Sequence, residues 1–132
     1  MPKQKQSLPA QPSSDEKQLA ESTCPMDAVL RLLMGPWTTY ILWLLRSQGP
    51  MRFGALRRAM PGISSKVLTD RLRHLEAHKL VHRDYKPSVP PQVTYSLTAR
   101  GETLKQVLDG LNVLALSWAQ EDRLGQGNKD AA

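Results

Sequence analysis

A mainly α (α+β) domain, in which two helices joined by a sharp turn precede a two-stranded hairpin and a long C-terminal helix, is predicted by three observations. The first is punctuation: two apolar patterns at helical spacing, Phe53–Met60 and Leu68–Leu75, are separated by Pro61-Gly62, which forces a turn. The second is a change of period from 3.6 to 2 after Leu80. There Val81, Arg83 and Tyr85 alternate with His82, Asp84 and Lys86, and Val93, Tyr95 and Leu97 repeat the pattern. The third is charge, because between Arg46 and Arg100 eleven Lys/Arg stand against three acids, a local balance of +8 in a chain whose net charge is +6. This order of elements is a winged helix-turn-helix. A basic field confined to one such unit suits a polyanion, since phosphate neutralisation supplies most sequence-independent affinity for DNA.

Length and composition favour one domain. Residues 1–22 are rich in Gln, Ser, Pro and Lys and contain no apolar run, so they are expected to form a flexible tail that cannot offset the entropy of ordering. Residues 23–122 carry the domain, and 123–132 are expected to be a second flexible end. Roughly 100 ordered residues suffice for one core and no more. No segment has the pattern of a signal peptide or a membrane span, which points to a cytoplasmic protein without membrane attachment. Cys24 is the one cysteine of the chain, which excludes an internal disulfide and fits a reducing compartment.

Each element then follows in order. Met26, Val29, Leu30 and Leu33 fall at helical spacing behind Pro25, in a short helix expected to end at Gly35. Pro36 is expected to open the next helix, where Trp37, Tyr40, Ile41, Leu44 and Leu45 mark one face and Leu42 and Trp43 make the other apolar too. A helix apolar nearly all round is buried. Ser47-Gln48-Gly49-Pro50 stops it, and Phe53, Leu56 and Met60 line the next short helix. Ser64 or Ser65 can cap the helix that follows, whose Leu68, Leu72 and Leu75 face the core.

That arrangement leaves Ser65, Lys66, Thr69, Asp70 and Arg73 pointing outward, a polar strip suited to the major groove. Arg73 can make the forked contact to guanine. In the wing, Arg83, Lys86 and Ser88 flank or occupy the stiff loop Pro87–Pro91, suited to the phosphate backbone or a minor groove. The candidate DNA-binding set is therefore Ser64, Ser65, Lys66, Thr69, Asp70, Arg73, Arg83, Lys86 and Ser88.

The last helix is expected to start at the N-cap Thr98 and to keep one stripe, Leu104, Val107, Leu108, Leu111, Leu114, Ala115 and Trp118, through about six turns. A domain this small does not need so long a stripe for its own core. The surplus predicts a homodimer whose interface uses Met26, Leu30, Leu108, Leu111, Leu114 and Trp118, and hence an inverted-repeat operator in double-stranded DNA.

The stretches CPMDAVLRLLMGPW, ILWLL, RFGALRRAMPGIS, LTDRLRHLE, LVHRDY and PPQVTYSLTARG, followed by an amphipathic helix, resemble the HxlR-type winged-helix transcriptional regulators, relatives of the MarR group. The resemblance runs from about Cys24 to Trp118. It implies a dimeric transcription factor, expected to be a repressor, whose helix from Ser64 to Ala77 enters the major groove beside a Lys86–Pro91 wing. It also implies a sensing role for Cys24, because some members detect quinones, aldehydes or oxidants through a cysteine at that position. Gly35-Pro36-Trp37 departs from the family's common Gly-Lys-Trp, so any contact made by that lysine is missing.

Other readings are weaker. His74, His78 and His82 are spaced by four, but the strand beginning near Leu80 takes His82 off the helix face, and no metal or other cofactor is expected. Neither a glycine-rich phosphate loop nor a nucleophile with a partnered base is present, so the chain is not read as an enzyme. Trp37, Tyr40 and Trp43 could line an aromatic pocket for a small ligand, the alternative mode of control. A winged helix used only for protein contact would show apolar residues on the helix that here carries Lys66, Thr69, Asp70 and Arg73.

Overall fold

The computed structural model describes residues 24–130, and the tail expected at 1–22 and the last residues of the expected C-terminal end lie outside them. Residues up to Pro36 form one unit and those from Trp37 a second. In the first, helix α1 (Pro25–Leu33) begins with proline at its first position and Cys24 as an extended N-cap, as the Cys-Pro step predicts. Arg31 Nε donates to Asp27 Oδ2 at 2.9 Å, one turn apart on the helix surface. The helix ends at Leu33, before Gly35, and none of its residues is buried.

In the second unit, helix α2 (Thr38–Gln48) starts later than Pro36, where the sequence reading placed it. Trp37 has φ 68 and ψ −10, the values of the third residue of a type II turn, and proline favours the second place of such a turn. Pro36 therefore serves a turn instead of a helix start. Ile41, Leu42, Leu44 and Leu45 are buried, as an all-round apolar helix requires. Gly49 takes φ 78, and strand β1 (Met51–Arg52) follows.

The β1 strand makes the sheet three-stranded, with order β1-β3-β2, where a two-stranded wing was expected. Two residues are too few to show alternation, and their partners, Tyr95 and Thr94, lie far along the chain. Helix α3 (Phe53–Ala59) buries Leu56, and the Tyr40 hydroxyl donates to the Ala59 carbonyl at 3.1 Å, tying α2 to its end. Gly62, at φ 92, supplies the left-handed residue of the turn into helix α4 (Ser65–Ala77). Of the two candidate caps Ser64 is the one used: its Oγ accepts from Val67 N at 3.1 Å.

Leu68, Leu72 and Leu75 of α4 are buried. Its C-terminus closes in a Schellman motif, with Leu80 N donating to Leu75 O at 2.9 Å and Lys79 N to Glu76 O at 3.0 Å. Lys79 takes the left-handed place, φ 61, that glycine usually fills. Strands β2 (Val81–Lys86) and β3 (Gln92–Leu97) then pair antiparallel from Val81↔Leu97 to Lys86↔Gln92.

Thr98 locks the sheet to α4. Its N–H donates to Leu80 O at 3.1 Å, its hydroxyl donates to Lys79 O, and its Oγ1 accepts from Gly101 N at 3.0 Å. Gly101 sits so tightly over this joint that a Cβ there would collide with the Leu80 carbonyl oxygen.

The helix expected to run unbroken from Thr98 is two helices, α5 (Ala99–Glu102) and α6 (Lys105–Asp130). Three-residue hydrogen bonds, Thr103 N to Arg100 O at 3.2 Å and Leu104 N to Gly101 O at 3.1 Å, tighten the chain between them. The α6 helix reaches Asp130, and every residue from Val113 to Gly127 is exposed. Leu108, expected at the dimer interface, is covered within the single chain. It is only 3% exposed and belongs to the core, because the first turns of α6 pack on α2, where Arg46 Nη2 also meets Asp109 Oδ2 at 3.1 Å.

Candidate nucleic-acid interface

With Leu68, Leu72 and Leu75 turned inward, the helical period leaves the opposite face of α4 in solvent. Ser64, Ser65, Lys66, Asp70 and Arg73 are exposed, and Thr69 is half-buried. Ser64 gives one oxygen lone pair to the helix cap, and Thr69 Oγ1 donates to Ser65 O at 2.8 Å, so its hydroxyl has acceptor capacity left. Lys66 and Arg73 carry the longest donors of the strip, and among the described residues neither side chain is held by an ion pair.

The wing carries further basic residues, with Arg83 and Lys86 on opposite faces of the sheet. Arg83, Lys86 and Ser88 are exposed. The guanidinium of Arg83 lies 5.5 Å from the centre of the Tyr85 ring, an attraction that orients it without neutralising it. In the loop, Ser88 N donates to Lys86 O at 2.8 Å and Ser88 Oγ to Pro90 O at 2.8 Å, so the hydroxyl works mainly to stiffen the turn. Val89 at its tip is fully exposed.

Not all of the basic cluster lies on this surface. Arg46 is engaged with Asp109, and Arg71 is half-buried with its Nε out of solvent. Conversely, Arg52 was counted in the charge but not among the candidates. It is exposed and its Nη2 donates to Gln92 Oε1 at 3.1 Å, linking β1 to the end of the wing loop. The partner lies in another strand, so spacing along the chain carries no sign of it.

The aromatic set divides. Tyr40 and Trp43 line a groove of about 260 Å³ with Thr39, Leu108, Leu111, Asn112 and Ala115, between α2 and α6. Trp37 is not in its wall but packs edge-on against Tyr40, ring centres 6.3 Å apart. Cys24 is exposed, outside any disulfide. Among the described residues no three His, Cys, Asp or Glu side chains converge as metal ligands, and no single helix is long and apolar enough to cross a membrane. His74 and His78 pack edge to face, ring centres 4.6 Å apart.

Comparison with known proteins agrees with this geometry. Residues 32–123 match the model of the HxlR-like helix-turn-helix family. An uncharacterised HTH-type transcriptional regulator of Synechocystis sp. is 42% identical over 99 residues, which cover 75% of this chain and 73% of that protein. Among solved structures, a protein assigned to the MarR family of transcriptional regulators from Porphyromonas gingivalis W83 superposes with a TM-score of 0.67 at 34% identity, covering 73% of this chain and 93% of its own. The redox regulator HypR in its oxidised form gives a TM-score of 0.65 at 38% identity, over 71% of this chain and 96% of its own. The Synechocystis and Porphyromonas proteins are described as transcriptional regulators and HypR as a redox regulator. The chain belongs to the HxlR-like helix-turn-helix family and is a DNA-binding transcriptional regulator with a winged helix.

Proposed function

We propose that the protein is a homodimeric repressor that places α4 of each subunit in the major groove of an inverted-repeat operator, with the wing on the flanking backbone, and that modification of Cys24 changes its DNA affinity. The observation that carries this reading is the polar, basic outer face of α4 in a chain whose α6 turns Val107, Leu111, Leu114 and Trp118 to solvent, 40–58% exposed. One surface suits phosphates and base edges; the other suits a second copy. Met26 and Leu30 of α1 are also exposed, 65% and 44%, and suit contact with a second copy. Two recognition helices about 34 Å apart would then meet successive major-groove faces. Repression follows by occlusion when such a dimer covers a promoter.

The Cys24 arm is supported by its exposed place at the start of α1 and by similarity to a protein described as a redox regulator. An oxidant can accept two electrons and two protons from two Cys24 thiols, one per subunit, to leave an intersubunit disulfide; an electrophile can instead add to one thiol. The groove at Tyr40 and Trp43 supports a second mode of control, by a bound ligand.

The test is a gel-shift on the DNA flanking the protein's own gene, with a salt titration, beside sedimentation of the free protein. Saturable binding tighter than to random duplex, by a species of dimer mass, is the expected result. A folded monomer at micromolar concentration would sink the dimer. Diamide or a quinone should alter the affinity of wild type but not of Cys24→Ser, and an equal response in both would shift control to the aromatic groove. A promoter-reporter strain lacking the protein should show higher expression; lower expression would make it an activator.

A further inference from the structure

At the junction of β1 and the wing, Arg52, the first residue of the RFGALRRAMPGIS stretch, is held by a partner from another strand. The strand register puts Arg52 opposite Thr94, and Lys86 opposite Gln92, so the alternation of the sheet sets Arg52, Gln92 and Lys86 on one face. Across that face Arg52 Nη2 donates to Gln92 Oε1 at 3.1 Å. Gln92 is neutral, so it fixes the guanidinium without cancelling its charge, and most of its five N–H donors remain available. Beside it lies a groove of about 310 Å³, walled by Phe53 and Gly54 on one side and by Pro90, Pro91 and Val93 on the other. Asp84 shares the sheet face but lies beyond Thr94, two strand spacings or about 10 Å from the Arg52 backbone.

We infer that Arg52 is a phosphate-binding residue: oriented by Gln92 and reinforced by Lys86, it takes one backbone phosphate of duplex DNA at the groove between α3 and the wing. This rests on the reading that α4 and the wing engage duplex DNA. It adds a contact that positions the wing and reads no base. A guanidinium prepared in this way loses little side-chain freedom on binding, whereas a mobile lysine must be ordered at that moment.

The experiment compares wild type with Arg52→Ala, Arg52→Gln and Gln92→Ala on the cognate duplex and a random duplex, across a KCl series. Single methylphosphonates are also walked along the cognate strands. Arg52→Ala should lower the salt slope by about 0.9 for each phosphate released, and by the same amount on both duplexes. One methylphosphonate position in each half-site should weaken wild type about tenfold and leave Arg52→Ala unchanged. Gln92→Ala should keep the slope but show a smaller methylphosphonate effect. Arg52→Gln removes the charge while keeping a donor toward Gln92, and should lower the slope by the same amount, so that the site is tested even where alanine disturbs folding. An unchanged slope, a loss confined to the cognate duplex, or the same methylphosphonate profile in wild type and variant overturns the site. A wild type without duplex affinity overturns the functional reading as well, while a wild type that binds beside an Arg52→Ala of equal slope overturns this site alone.

Discussion

Helices α4 and α6 obey the same amphipathic rule and finish with opposite surfaces. The α4 helix buries Leu68, Leu72 and Leu75 and shows solvent Ser65, Lys66, Asp70 and Arg73. The α6 helix buries Leu108 and shows solvent Val107, Leu111, Leu114 and Trp118. What a helix leaves exposed therefore says more about its partner than what it buries. Polar reach with positive charge marks a nucleic-acid face, and an apolar stripe without a core to cover marks a protein face.

The largest expected effect sharpens this contrast. Leu72→Ala should cost about 2–5 kcal/mol in chemical denaturation, because a fully buried leucine loses both transfer energy and packing. Trp118→Ala, at 58% exposure in the single chain, should lower stability chiefly by weakening the dimer, so that its loss relative to wild type grows with protein concentration. Comparable, concentration-independent losses for the two variants would show that Trp118 belongs to the chain's own core. Next comes the joint between the two helices. Gly101→Ala should cost about 1–3 kcal/mol, since the added methyl meets the Leu80 carbonyl and backbone has to move. Thermal unfolding of the variant reads this directly, and an unchanged midpoint would mean that the joint yields. Smaller still, Ser64→Ala should cost about 1 kcal/mol by removing the cap on Val67 N, and Ser64→Gly less.

Legibility in the sequence followed the distance between interacting residues. The α4 helix was readable because its cap, its Leu68–Leu72–Leu75 stripe and its preceding Gly62 turn act within a few residues of one another. The hairpin was readable because β2 and β3 are joined by a short loop. The β1 strand was not, since Met51 and Arg52 acquire their structure from Tyr95 and Thr94. The end of α4 falls at Ala77 as expected, although Lys79 fills a left-handed position that composition associates with glycine or asparagine. The break before α6 lies at Thr103 and Leu104, where the apolar stripe begins, and helical periodicity does not distinguish a tightened turn from a regular one. At the DNA face, the strip on α4 came from periodicity, but Arg52 needed the sheet register to find Gln92. The burial of Leu108 was not readable, because a stripe shows which residues share a face and not how much of that face the chain's own α2 covers.

In the proposed complex the exposed face of α4 reads base sequence while the wing holds the backbone. Equilibrium binding of Arg73→Ala and Lys86→Ala to cognate and random duplexes, over a range of salt, tests it most directly. Arg73→Ala should lose about 1–3 kcal/mol on the cognate site and little on random DNA, whereas Lys86→Ala should weaken both alike and flatten the salt slope by about one. Equal losses on the two duplexes for Arg73→Ala would contradict the claim and remove α4 from the base-reading role.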